Sequence, residues 1–150
     1  MKLVYEGLPP SKNHAKERFG VGYSNTGKRY VMERYKAHVT RFLNTFHLEL
    51  KYDKRCLESF LLNCEASKPN DIIVSVTYHT DTQRFDRQNY TQFLSDGLQN
   101  FLGINDRWFI WRDNPLVFSF EPRTEIELTK IPNLFLFQKK NCLKERKKNA

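Results

Sequence analysis

Asp86, Asp96 and Asp106 surround one helix-forming segment of a 150-residue chain: Asp86 precedes it, Asp96 lies within it, and Asp106 follows where the chain turns back toward a strand. On a 3.6-residue period Asn89, Gln92 and Asp96 share a polar strip beside the apolar face. A fold that returns the chain to an adjacent strand would bring the Asp86 and Asp106 carboxylates to one place. Clustered carboxylate oxygens without His or Cys suit Mg²⁺, a hard cation that keeps several waters and binds through one or two carboxylates plus phosphate. Near basic segments such a site points to phosphodiester hydrolysis, in which metal ions stabilise the attacking and leaving oxygens. The same residue types also have structural uses. Asp86 or Asn89 can cap a helix, Asp106 can be a turn residue after Gly103, and Asp96 can be a solvated helix position; spacing leaves both readings open.

Other chemistries find no support. His14, His38, His47 and His79 share no ligand spacing, and no G-x-S-x-G or comparable nucleophile motif occurs. Cys56, Cys64 and Cys142 form no C-x-x-C pair and read as free thiols of a reducing cytoplasm. The opening MKLVYEGLPPSKN lacks the apolar run of a signal peptide, and no apolar stretch approaches the roughly 20 residues that span a bilayer. The expectation is a cytoplasmic protein without a membrane partner.

The chain has the size of one domain. Its 39% hydrophobic residues, with twelve Phe, can fill a core. An excess of 25 Lys+Arg over 17 Asp+Glu gives a formal charge of +8, which makes polyanions the first partners to consider. Six basic residues crowd into residues 139–150, KKNCLKERKKNA, expected as a solvated tail or frayed helix, or else a phosphate-binding arm, following a domain over 1–138. Lys12, Lys16, Arg18, Lys28 and Arg29 form a second basic group around a segment, 11–28, that reads as a flexible loop with Phe19 and Tyr23 among its cations. These five are the DNA-binding candidates. Aromatic rings among cations suit nucleic acid, and equally suit a loop that packs its own aromatics.

The elements around these residues follow from periodicity. A short strand over residues 2–6 stops at Pro9-Pro10, where φ is fixed and donors are lost. Val31, Met32, Tyr35, Val39, Phe42, Leu43, Phe46 and Leu50 fall at helical spacing and predict one amphipathic helix. Leu57, Phe60, Leu61 and Cys64 suit either a shorter helix or a strand. After a turn at Pro69-Asn70-Asp71, residues 72–79 (IIVSVTYH) read as a buried strand. A helix from about Asn89 follows, with Gly103 as its stop. Strands are expected over 108–111, over 116–120 after the turn at Asp113-Asn114-Pro115, and over 124–128. The order implies an α+β (mixed α/β) domain, with a mixed sheet and two main helices packed on it.

Two sequence elements then resemble the RusA-type Holliday junction resolvases, small Mg²⁺-dependent endonucleases of bacteria and their prophages that act in DNA recombination and repair. The first is Gly7-Leu8-Pro9-Pro10-Ser11-Lys12-Asn13 with Arg18 downstream, similar to the family's opening strand and P-P-S-x-N turn. The second is Arg84-Phe85-Asp86-Arg87-Gln88-Asn89, then Gln92, Asp96-Gly97-Leu98 and Asn105-Asp106, similar to the family's D-x-D-N-x-x-K-x-x-x-D-x-L segment and late acidic pair. The resemblance covers about residues 3–128. It implies a homodimer that presents two sites to a four-way junction in branched DNA, with Mg²⁺ (or Mn²⁺) held by Asp86 and Asp106. Asn89 and Asp96 match the family's asparagine and helix aspartate.

Three positions depart from the pattern. Gln88 stands for the second aspartate, Gln92 for the lysine, and Asn105 for the first acid of the late pair. An amide oxygen can ligate Mg²⁺ but brings no charge, and Gln92 cannot supply the lysine's fixed positive charge. Asp81 is a candidate replacement for the missing acid, and Arg84, Arg87 or Arg107 for the missing cation. The resemblance therefore implies a structure-selective endonuclease whose site uses Asp86, Asp106, Gln88, Asn89, Gln92 and Asp96, or a relative that binds branched DNA without cutting it. A basic protein-interaction module is the reading without nucleic acid.

Overall fold

The computed structural model describes residues 1–66, 70–83 and 85–149. It is a single small α/β domain, as expected. A mixed sheet is built from β1 (Lys2–Tyr5), β4 (Asn70–Thr80), β5 (Phe109–Asp113), β6 (Val117–Phe118) and β7 (Arg123–Pro132). Its strand order is β1-β7-β4-β5, and β6 pairs with the last residues of β4. β7 runs antiparallel to both β1 and β4, whereas β4 and β5 are parallel. β4 is the centre of the sheet, and its run of β-branched and aromatic residues is buried along most of its length. The turn expected at Pro69-Asn70-Asp71 is only partly tested, because Pro69 lies outside the described residues. Asn70 and Asp71 belong to β4 and pair with Pro132 and Ile131.

Parallel strands require a crossover, and α3 (Gln88–Leu102) supplies it between β4 and β5. Phe93, Leu94, Gly97, Leu98 and Leu102 bury its apolar stripe. Gly103 ends it in the left-handed conformation, φ 66°, with its N–H donating to the Gln99 carbonyl, so the stop expected there is observed. Helix α1 (Ala37–Glu49) packs on α3 through Val39, Phe42 and Phe46. The Phe46 ring lies directly on Gly97, where an added Cβ would come within 2.7 Å of the ring. The ambiguous segment after α1 is helical, α2 (Lys54–Ala66), with the Asp53 carboxylate accepting from the N–H groups of Arg55 and Cys56.

Residues 16–35 differ from expectation. The segment read as a flexible loop and the first two turns of the predicted helix together form a hairpin, β2 (Lys16–Tyr23) and β3 (Arg29–Tyr35), separate from the main sheet. Its turn is closed by Gly27 at φ 79° and by Ser24, which accepts from Gly27 and Lys28. Val31, Met32 and Tyr35 match a helical period by coincidence. β3 is exposed everywhere but at Met32 and carries no two-residue alternation, whereas in β2 Phe19, Val21 and Tyr23 do alternate with Gly20 and Gly22, a strand signal masked by the glycines and the cations around them.

The basic C-terminal stretch is the second half of a helix, α4 (Leu134–Lys148), which starts before residue 139. Asn133 caps it by accepting from Leu136 N–H, and donates its own amide to the Asp71 carboxylate at 2.8 Å, which ties the helix start to β4. None of its residues is buried. Among the described residues, no helix is long and apolar enough to cross a membrane.

Candidate functional site

An open cleft of about 560 Å³ runs along α3 and β5 and holds the carboxylates of Asp96, Asp106 and Asp113. From α3 it takes Gln88, Thr91, Gln92, Ser95 and Asp96, successive positions of one helical face, so Gln92 and Asp96 of the expected polar strip share the cleft and Asn89 does not. Asp106 opens a 3-10 turn (Asp106–Trp108) just beyond α3. The Asn105 side chain caps that turn by accepting from Arg107 N–H. The Asp106 backbone N–H donates to the Gln99 side-chain carbonyl at 3.2 Å, and Ser95 Oγ reaches the Asp106 carboxylate at 3.4 Å. Two contacts from α3 therefore set where this exposed carboxylate stands.

Asp113 is the residue that sequence reasoning missed. It ends β5, and the parallel register places it opposite Val76 of β4. Its neighbours Asn114 and Pro115 gave it the look of a turn residue. Burial first, and the charge of Asp113 second, push the Tyr78 phenol well above its ordinary value, against the smaller opposing effect of a hydrogen bond with Thr91. Tyr78, fully buried on β4, is thus neutral at pH 7.

Asp86 plays a different part. Its carboxylate accepts from the Gln88 N–H at 3.2 Å and from Asn89 Nδ2 at 2.8 Å, and Asp86 does not line the cleft. These two bonds brace the turn that leads into α3 and fix the backbone of its first residue, Gln88. Asn89 also turns away from the cleft, and its carbonyl accepts from Lys12 N–H at 2.7 Å. The candidate replacement residues do not reach the cleft either. Asp81 lines a separate groove with Phe118, and Arg107 stacks on Trp108 with its guanidinium 4.6 Å from the ring. Arg87 tucks its Nε into a buried position at the start of α3. Arg84 lies outside the described residues.

Asp96 carries the electrostatic signature of the site. Burial raises its carboxyl above the usual carboxylate range, and the nearby charge of Asp106 raises it further. A folded-state value above the unfolded one means that the protonated form is favoured by folding. That contribution is complete below the unfolded value, near pH 4, and is lost as pH rises through the folded one. Ionised Asp96 is therefore a liability at neutral pH. Asp96→Asn is expected to melt at a higher temperature than the wild type at pH 7 without divalent cations, with the gap closing toward pH 4. Equal melting temperatures across that range would show that neither burial nor Asp106 raises the Asp96 carboxyl.

The three carboxylates and the Gln88 and Gln92 amides form an all-oxygen donor set with no imidazole or thiol. Among the described residues no group of three or more His, Cys, Asp or Glu side chains, these three aspartates included, is placed to hold a metal ion together. Mg²⁺ does not need one, since it retains waters and uses one or two carboxylates together with phosphate oxygens. The donor set fits such an ion.

The DNA-binding candidates fall into two places. Lys12 and Lys16 lie where the loop after Pro10 meets α3, beside Gln92. Arg18, Lys28 and Arg29 are exposed on the hairpin, with Lys28 and Arg29 at the end opposite Lys16. Exposed Phe19, Tyr23 and Tyr30 stand among them, and the Arg34 guanidinium sits 5.4 Å from the Phe19 ring centroid. Compared with known proteins, the chain matches no family model and is significantly similar to no curated sequence.

Proposed function

We propose that this protein is a divalent-cation-dependent endodeoxyribonuclease acting on branched DNA, in the manner of the RusA-type resolvases that its two sequence elements resemble. The observation that carries the reading is the gathering of Asp96, Asp106 and Asp113 into one open cleft of oxygen donors, with exposed cations on the adjoining loop and hairpin. Bound there, Mg²⁺ supplies polarisation of a phosphodiester and activation of water near neutral pH.

The chain's own groups divide the remaining work. Asp106, steadied by Gln99 and Ser95, offers the most accessible negative charge. Asp96 and Asp106 repel one another, and a bound cation would relieve that repulsion. Gln88 contributes an amide oxygen without charge, and Asp86 with Asn89 holds the helix start that carries it. Exposed cations of the hairpin bind the DNA backbone, which makes affinity fall steeply with salt. Two copies of the chain would present two such clefts to the arms of a four-way junction.

A specific observation favours a second reading, a junction-binding protein that does not cut. The Asp86 carboxylate is occupied by its own helix, and Gln88 and Gln92 lack the charges that the resemblance would put there. One assay separates the two: nicking of a synthetic four-way junction in Mg²⁺ by the wild type and by Gln88→Asp. Slow Mg²⁺-dependent nicking that rises about tenfold or more in Gln88→Asp is expected, because the added carboxylate supplies charge where phosphate chemistry requires a compensated cation. Salt-sensitive junction binding with no product from either protein would establish the non-cutting reading. Absence of binding at low salt would exclude both.

A further inference from the structure

Gln92 is a wall shared by two clefts. On one side it faces the carboxylates, and on the other it lines a pocket of about 460 Å³ with Lys12, His14, Lys16, Tyr35 and Phe93. No acidic residue lines this second pocket. Phe93 is buried and meets Tyr35 edge to face at 5.6 Å, which gives the pocket a rigid aromatic floor. Lys16 Nζ lies 5.4 Å from the Tyr35 ring centroid, a contact that positions the ammonium without neutralising it.

The loop that carries these cations is fixed from several sides. Lys12 N–H donates to the Asn89 carbonyl of α3 at 2.7 Å, and the Ala15 carbonyl accepts from Lys36 N–H at 2.8 Å ahead of α1. Between them His14 holds φ 56°, a left-handed conformation that costs a non-glycine residue on the order of 1 kcal/mol. That single left-handed residue turns the chain so that Lys12 and Lys16 line the same pocket. Neither lysine has a carboxylate partner among the described residues. A positively charged, pre-positioned pocket with an aromatic floor and no anion of its own suits a phosphate group.

We propose that the pocket of Lys12, His14 and Lys16 is a phosphate subsite, which seats a backbone phosphate of a DNA strand whose neighbouring phosphodiester enters the carboxylate cleft across Gln92. The subsite rests on the nuclease reading for its biological use. Its lysines, contributed by the loop, supply the fixed positive charge that glutamine at 92 does not.

Phosphate capture is separable from cleavage, because it needs no metal ion. The test is NMR of the isotope-labelled full chain in EDTA, titrated in separate arms with inorganic phosphate and with a 5′-phosphorylated deoxytetranucleotide. The Gln92 side-chain amide and the His14 ring are expected to shift together and saturably, at least about tenfold more tightly with the tetranucleotide than with phosphate alone. Lys12→Ala/Lys16→Ala is expected to weaken tetranucleotide binding by about tenfold or more. It should also lower the salt slope by about 0.7, the value for one phosphate contact on a single strand. Lys139→Ala/Lys140→Ala, which removes the same charge from α4, is expected to leave the Gln92 and His14 shifts in place. Equal losses in the two double variants, or shifts confined to α4, would overturn the subsite. Tighter binding of free phosphate than of the tetranucleotide would identify a small-anion site and overturn it as well. Failure of junction nicking alongside an intact tetranucleotide response would count against the nuclease reading alone.

Discussion

Asp106→Asn should reduce Mg²⁺-dependent nicking of a four-way junction by about 100-fold or more, while junction affinity in EDTA stays within about twofold. Asparagine has nearly the same shape, and the contact of the Asp106 backbone N–H with Gln99 does not depend on the side chain, so the 3-10 turn keeps its place. What is lost is one unit of negative charge beside Asp96. Removal of a single preorganised electrostatic partner from a reacting centre typically costs 10²–10³ in rate, about 2.7–4 kcal/mol. The same substitution withdraws the charge that raises the Asp96 carboxyl, so the stabilisation expected of Asp96→Asn at neutral pH should shrink in the Asp106→Asn background. Initial nicking rates, gel-shift affinities in EDTA and melting curves for the four proteins check both statements. Equal trace nicking by the wild type and Asp106→Asn would remove Asp106 from the reaction.

Phe46→Ala should destabilise the domain by about 3–5 kcal/mol, the usual cost of emptying a buried phenylalanine site. Phe46 is 1% exposed and sits at the centre of an aromatic cluster, 4.9 Å from Phe42 and 5.3 Å from Tyr5 between ring centroids. Its ring rests on Gly97, where the absent side chain lets α1 and α3 approach closely. No flexible side chain at position 97 can swing in to fill the space, which favours the upper part of the range. A loss of this size is a large share of the 5–15 kcal/mol that small proteins possess. It lowers the melting temperature by on the order of 10 °C for a chain of this length. Urea denaturation of the two proteins measures it directly, and a difference below about 1 kcal/mol would show that the α1–α3 contact is not the main support of α3. Since α3 carries five residues of the cleft, the variant should also lose Mg²⁺-dependent nicking near its lowered melting temperature.

Much of this architecture was legible before any coordinates. The apolar run of β4, the helical period of α3 and the glycine that stops it are local patterns, and local patterns survive translation into structure. The hairpin was hidden because it packs against little. In β3, exposed everywhere but at Met32, burial imposed no alternation, and Val31, Met32 and Tyr35 joined by chance the period of the helix that follows. Asp86 shows the opposite limit. Its spacing from Asn89 and Asp106 allowed a cap or a cation ligand, and only the tertiary structure shows its carboxylate accepting from Gln88 and Asn89 outside the cleft.

By itself the sequence determined the mixed α/β class, the surplus of positive charge and the polar strip along α3, because composition and a 3.6-residue period need no distant partner. Tertiary structure alone decided which groups meet. The parallel register of β5 on β4 carries Asp113 into the cleft, and the left-handed turn at His14 brings Lys12 and Lys16 to the far side of Gln92. Those meetings join residues far apart along the chain, and strand register and loop closure, which no local pattern encodes, set the distances between them.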